Sequence, residues 1–482
     1  MRITSSVFRR EDRRPLAAWH KVLSAVLSVL ILPFLSSGLS LSAAAAPGSR
    51  TVVASESGIL LDSDVWTGGG TDQTDAIQAI LDKAEEWGRL HFIMDGAALV
   101  SRSLRVHSNT TITCPDLSCG FFLADGSDCS VITNADPDLE EIRNRNITLD
   151  GGTYNNNSPG QVHTRPGQGF FSTWVFAMEF YGVEHLALRN LVIANQRTFA
   201  LTMANWKYVT VEGVHVDRRV RTDLQNQDGL HFFGPGRFLT VRNVSGNSGD
   251  DFIAVAPDEV DKVSSISDVL IDGIFLDDAD QGIRLLCCGA GRLDRVTVRN
   301  VSGTYRSFGF IVNPWFAGDP GGGHYGDIVF ENINLSPLQP NYTYAKPFLF
   351  KIGGHIESLV LDGIHINNPP CDHRFAVVGG HYMSDKPRDE QQPTTIGYLA
   401  VRGLRVNEPS GRKSPYPYID IVGADVDVLS VEDVIIRPAA DVEPGGKLLE
   451  VTEGSVRTLL CKDIYAPGKE LPAPPRKPRR KK

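Results

Sequence analysis

From about residue 147 onward the chain repeats one short pattern of apolar and polar positions. Alternating apolar residues lead to a polar residue, then to Asn, Asp or Gly, then to a further apolar residue. The phrase reads ITLDGG at 147, LALRNL at 186, VTVEGV at 209, LTVRNV at 239 and VLIDGI at 269. It continues as VTVRNV at 296, IVFENI at 328, LVLDGI at 359, LAVRGL at 399, LSVEDV at 429 and LLCKDI at 459. Alternation with period two predicts strand. Recurrence every 23 to 40 residues predicts a stacked array. The expected fold is all-β, a parallel β-helix whose coils lay inward side chains on the same position of the next coil. The Asn, Asp or Gly after each strand suits the left-handed backbone of a tight corner. A propeller would need four strands per blade, and a leucine-rich repeat would need a helical half. Upstream, Asp75, Ile77, Ile80, Leu81, Ala84 and Trp87 follow a helical period, with Thr71 or Thr74 as the expected cap. This N-terminal helix is expected to cap the open end of the solenoid, where core and strand edges would otherwise meet water.

Aligning the strand that follows each phrase brings five segments into register. They are Ala200–Met203, Gly229–Phe232, Phe252–Val255, Gly282–Leu285 and Gly309–Val312, each with an apolar, inward second residue. The residue before each segment forms a column of Phe199, Asp228, Asp251, Gln281 and Phe308. One position earlier lie Thr198, Gln227, Asp250, Asp280 and Ser307. Coils stack about 4.8 Å apart, so Asp228 and Asp251 are expected neighbours, with Asp250 beside them and Gln281 one rung on. His231 and Arg284 face outward, two rungs apart. Carboxylates this close cannot all ionise freely, and at least one pKa should rise. Acid–base chemistry near neutral pH needs that division, with one group protonated and the others ionised. Inverting glycoside hydrolysis uses it, with a water between acid and base. Corner aspartates also serve as turn formers or calcium ligands, and that reading stands beside the catalytic one.

At these motifs the sequence resembles glycoside hydrolase family 28, the polygalacturonase family, of the pectate-lyase superfamily of right-handed parallel β-helices. Asn226-Gln227-Asp228 matches the family's Asn-x-Asp motif, and Asp250-Asp251 matches its double Asp one coil later. The stretch Gly68–Gln78 resembles the opening common in the superfamily. The architectural likeness covers most of the chain and is specific between about residues 195 and 315. The resemblance implies Asp250 as general acid, Asp228 and Asp251 as the pair that deprotonates water, inversion, and neither metal nor other cofactor. Two motifs depart from the family. Its histidine position falls on Gln281, and its Arg-x-Lys positions fall on Ile311 and Asn313. That change puts galacturonan in doubt as substrate. Arg284 and His231 are the expected replacements, or else outward solvent residues. The expected substrate-binding set is Asn226, Gln281, Arg284, His231 and Trp315, the last by stacking on a sugar ring. Trp174, Tyr181 and Trp206 are further stacking candidates, although each also serves simply to cover the core. Residues 218–223 are placed as a groove wall.

Two other functions fit the same fold. In a calcium-dependent lyase, Asp228, Asp250, Asp251, Asp277, Asp278 and Asp280 would hold the ion and Arg284 would act as base. In a non-catalytic carbohydrate-binding β-helix the carboxylates would only contact glycan.

Composition narrows the partners. The chain has 482 residues and a net charge of -9, which argues against nucleic acid, since phosphate neutralisation needs a basic face. Arg9, Arg10, Arg13, Arg14 and Lys21 precede an apolar run from Val22 to Leu41 and a small-residue segment ending at Ala46. This reads as a signal peptide over 1–46, followed by a β-helix catalytic domain over 47–467 and a basic, Pro-rich tail over 468–482. The protein is then expected as a secreted, periplasmic or cell-surface monomer acting on a polysaccharide or oligosaccharide, without a membrane partner after signal removal. Of seven cysteines, Cys114 and Cys119 are placed to bridge a short loop, and Cys461 falls on a core position. The sequons at Asn109, Asn146, Asn243 and Asn300 are read as corner residues and not as glycosylation sites.

Overall fold

The computed structural model describes residues 48–219, 226–314, 322–340, 348–369, 373–380, 393–409, 416–441 and 446–472. The repeated phrase is the spine of the fold. Its central residue stacks from Leu149 onto Leu188, Val211, Val241, Ile271 and Val298, each the parallel-ladder partner of the one before. The column continues through Phe330, Leu361, Val401 and Val431 to Cys461. In the other direction it runs through Ile112 and Phe92 to Val52. Most of these side chains are completely buried. Burying one such residue contributes about 1.5–3 kcal/mol, so the stacked columns supply most of the cohesion between coils.

The corners behave as the sequence requires. Every phrase turns on a residue with positive φ, from Gly151 (84°), Asn190 (52°) and Gly213 (65°) to Asp433 (52°) and Asp463 (54°). Asn109, Asn146, Asn243 and Asn300 all have φ between 53° and 62°, which is the corner role expected of them.

The five aligned segments hold their predicted register. Leu201, Leu230, Ile253, Ile283 and Phe310 stack in one buried column. Thr202, His231, Ala254, Arg284 and Ile311 stack in the adjacent outward column.

The N-terminal helical period forms two short helices, Thr74–Leu81 and Lys83–Trp87. They bury Ile77, Leu81 and Ala84 in the main core. The expected cap is corrected. Gln73 is the N-cap residue and makes no side-chain cap bond. Asp72 Oδ1 instead accepts the Thr74 backbone N–H at 2.9 Å, because a carboxylate two residues back reaches an orphan donor that the Thr74 hydroxyl cannot reach. Two cysteine expectations are also corrected. Cys114 and Cys119 are buried but not bonded to each other. Cys461 keeps its column position yet is exposed, since it lies on the last described coil and no strand among the described residues covers it. No helix among the described residues is long and apolar enough to cross a membrane.

Position within the stack should therefore decide the cost of a core truncation. Ile271→Ala, in mid-column, is expected to lower stability by about 2–5 kcal/mol. Cys461→Ala, in the same column at its exposed end, is expected to stay within about 0.5 kcal/mol. Urea midpoints of the two variants check this, and equal losses would contradict it.

Candidate active site

Neighbouring coils bring the acidic motifs together through backbone bonds. The Gly229 N–H donates to Asp251 O at 2.9 Å and the Gly249 N–H to Gln227 O at 2.9 Å. The Gln281 N–H donates to Asp250 O at 3.2 Å, and Asp251 is the ladder partner of Gln281. Asp228, Asp251 and Gln281 thus occupy successive rungs. Gly229 makes the approach of the Asp228 and Asp251 coils possible, and Gly282 does the same for the next coil pair. A Cβ at Gly229 would lie 2.3 Å from Phe252 O, and one at Gly282 would lie 2.3 Å from Gly309 O.

Each carboxylate has a partner. His231 Nδ1 is 2.8 Å from Asp228 Oδ2. Arg284 donates from NH1 to Asp251 Oδ2 at 3.0 Å. Gln281 donates from Nε2 to Asp250 Oδ1 at 2.5 Å. Asn226, at φ 67°, donates its backbone N–H (3.2 Å) and its Nδ2 (3.4 Å) to Asp250 Oδ2. The reading of His231 and Arg284 as solvent residues is thereby excluded. Both are buried, at 3% and 8% exposure, and both face carboxylates. Asn226 and Gln281, expected to contact substrate, turn onto Asp250. Asp228 Oδ1, Asp251 Oδ1 and Gln281 Oε1 remain buried without a hydrogen-bond partner.

Burial dominates the electrostatics. It pushes the Asp228 carboxyl up to about 7, against the opposing pull of His231. Asp250 is raised well above the usual carboxylate range, first by burial and then by the charges of Asp228 and Asp251. Burial also raises Asp251, but Arg284 opposes it directly. Asp280, bonded by the Ser307 hydroxyl at 3.1 Å, is pushed up to about 7 by burial. His231 is raised as well, against its own burial. Burial disfavours its charge, yet its bonds to Asp228 and Glu259 carry it up to about 9.

Several neighbours were not legible in the sequence. Glu259 lies 3.2 Å from His231 Nε2. Phe199 and Phe233 each stack on the His231 ring. Phe170, Phe171 and Trp174, from the 157–174 segment, pack against this aromatic group. In the same segment Arg165 approaches Glu179 at 3.8 Å. Phe199 occupies its expected column beside Asp228 and Trp174 is one of the expected stacking candidates; the spacing marks none of the others in the 157–174 segment, which lacks strand alternation, nor Glu259, which lies in a turn. Tyr181 and Trp206 are buried; Trp206 donates from Nε1 to Phe233 O at 2.8 Å. Of the expected groove wall, Arg218 donates to Gln227 Oε1 at 3.1 Å and Arg219 lies over the Trp66 ring. Val220–Asp223 and Trp315 lie outside the described residues. Among the aspartates of the lyase reading, Asp278 is paired with Arg306 and Asp277 is exposed.

No protein-family model matches the sequence, and no curated protein matches it. Similar folds occur among solved structures. A family 28 exopolygalacturonase of Yersinia enterocolitica matches with 14% identity over 87% of this chain and 79% of that one, at TM-score 0.51. The surface adhesin PfbA of Streptococcus pneumoniae matches with 14% identity over 86% and 89%, at 0.50. The tailspike of E. coli bacteriophage HK620, solved with a pentasaccharide, matches with 11% identity over 84% and 76%, at 0.56. At these identities the likeness establishes architecture, and the chain is a β-helical protein built from parallel strands.

Proposed function

We propose that this chain is an exported glycoside hydrolase that cleaves a polysaccharide with inversion. Asp250 serves as general acid, and Asp228 with Asp251 holds and deprotonates the attacking water. The reading rests on one observation: three carboxyl groups on adjacent coils share a patch in which Asp228 faces His231, Asp251 faces Arg284 and Asp250 faces only amide groups. Asp250 enters as the acid. Its Oδ2, with only the two longer contacts from Asn226, is the oxygen assigned the proton. Asp228 and Asp251 each give Oδ2 to a cation and keep a buried Oδ1 without a partner, which is where this reading places the water. The water attacks the anomeric carbon, its proton passes to the aspartate pair, and Asp250 protonates the departing glycosidic oxygen. Support also comes from β-helices of similar fold, one of them an exopolygalacturonase and another solved with a bound pentasaccharide.

The same proposal takes residues 1–46 as signal peptide, 47–467 as catalytic domain and 468–482 as tail. The coil is right-handed and the helix Thr74–Leu81 caps its first turn. The protein acts as a monomer in the periplasm, at the cell surface or beyond it. Its glycan need not be galacturonan, because Ile311 and Asn313 stand at the basic positions of the family and Arg284 is committed to Asp251. The lyase reading loses its base for the same reason, since the charges of Asp251 and Glu259 hold Arg284 in its charged form against its burial. A non-catalytic glycan-binding protein is the second reading. It is favoured by the neutralisation of two of the three carboxylates by His231 and Arg284.

Asp250→Asn is expected to lower the release of reducing ends from a glycan panel by about 10²-fold or more. Wild-type products should show no ultraviolet absorbance, and proton NMR should show an inverted anomer. Absorbance abolished by a chelator would favour the lyase, and glycan retention without cleavage would favour the binding protein. A second expectation concerns pH. Asp228 must be ionised, so the rate should fall as pH drops through about 7, where that group takes up its proton. Asp250 must be protonated, so the rate should fall again at higher pH as it ionises. A rate flat across this range would remove the assigned roles.

A further inference from the structure

His231 presents a ring nitrogen to each of two carboxylates. Nδ1 lies 2.8 Å from Asp228 Oδ2 and Nε2 lies 3.2 Å from Glu259 Oε2. A neutral imidazole has one N–H and one lone pair, so it would satisfy one carboxylate and repel the other. Only the imidazolium donates to both. The ring is also stacked on two aromatic neighbours, Phe199 at 4.7 Å and 7° and Phe233 at 4.2 Å and 14°, so the cation meets electron-rich rings. Asp251 and Arg284 act on the same region at longer range.

Glu259 is held in place for this contact. It follows the strand Asp251–Ala256, in a turn that adjacent groups fix. The neighbouring Asp258 carboxylate accepts the backbone N–H groups of Cys288 and Gly289 at 2.7 Å each, and that of Gly291 at 3.0 Å. Lys262 Nζ donates to Glu259 O at 2.7 Å. Glu259 stays below the usual range: burial pushes its carboxyl up, and the bond from His231 together with the charges of His231, Arg284 and Lys262 outweighs it.

We propose that Glu259 is a positioning residue of the carboxylate patch, clamping the His231 imidazolium against Asp228 so that Asp228 remains the ionised, water-activating base. The catalytic consequence rests on the hydrolase reading, whereas the clamp itself does not.

The test is Glu259→Gln, which keeps shape and removes charge. Histidine-selective nitrogen labelling, with the His231 signals assigned from a His231→Asn variant, follows the ring through a pH titration. In the wild type His231 should hold its proton until about 9. In Glu259→Gln the midpoint should fall by about one pH unit or more, and Glu259→Asp should recover much of the difference. In the glycan assay, Glu259→Gln should lower kcat about tenfold at mildly alkaline pH with KM little changed. Its alkaline fall should begin earlier, where the imidazolium discharges. An unmoved midpoint in folded Glu259→Gln overturns the clamp, whatever the activity. A lowered midpoint with an unchanged pH–rate profile overturns the positioning role. A lowered midpoint in a protein that cleaves no glycan in any form supports the clamp and sinks the hydrolase reading instead.

Discussion

Parallel strands must stack about 4.8 Å apart, and the candidate site depends on that spacing as much as the core does. The same hydrogen-bond ladder that seats Ile253 between Leu230 and Ile283 also sets Asp228, Asp251 and Gln281 on successive rungs. No carboxylate in this set can move away from its neighbour without breaking register. A one-residue slip would turn every inward side chain outward, so the buried columns hold the acidic patch together against its own repulsion.

The protein answers that repulsion in two ways. Cations are brought in where a carboxylate can be paired, as with His231 on Asp228 and Arg284 on Asp251. Where the partners are neutral amides, as at Asp250, burial and the neighbouring charges raise the carboxyl furthest toward its protonated form. The choice follows from magnitudes. An isolated buried carboxylate costs far more than a shifted pKa, so an unpaired group neutralises itself. The amide donors of Asn226 and Gln281 orient Asp250 without discharging it. This gives chemically distinct carboxyls from one residue type, which is the condition for acid and base work at a single pH.

The aromatic group around His231 links the patch to the rest of the outer face. Phe199 and Phe233 cover the imidazole, and Phe170, Phe171 and Trp174 cover them in turn. Removing water strengthens every charge contact beneath it. The 157–174 segment, which carries little strand pattern, therefore shapes the dielectric of a site whose charges come from other coils.

Alternation, repeat spacing and corner residues were enough to determine the coil architecture and the strand register, because period two and left-handed corners are local constraints. They were also enough to place Asp228, Asp250 and Asp251 together, since residues one coil apart in a register must meet. They did not reveal Glu259, whose side chain reaches His231 from a turn outside the alternation. Nor did they reveal the left-handed conformations of His185, Tyr208 and Phe238, bulky residues that stack 4.7 and 4.8 Å apart and support one another across coils. The exposure of Cys461 was hidden for a related reason, because a core position is buried only if another coil follows. Pairing and protonation belong to the tertiary structure: whether a charge is buried, and which group faces it, depends on side chains brought in from segments that share no periodicity.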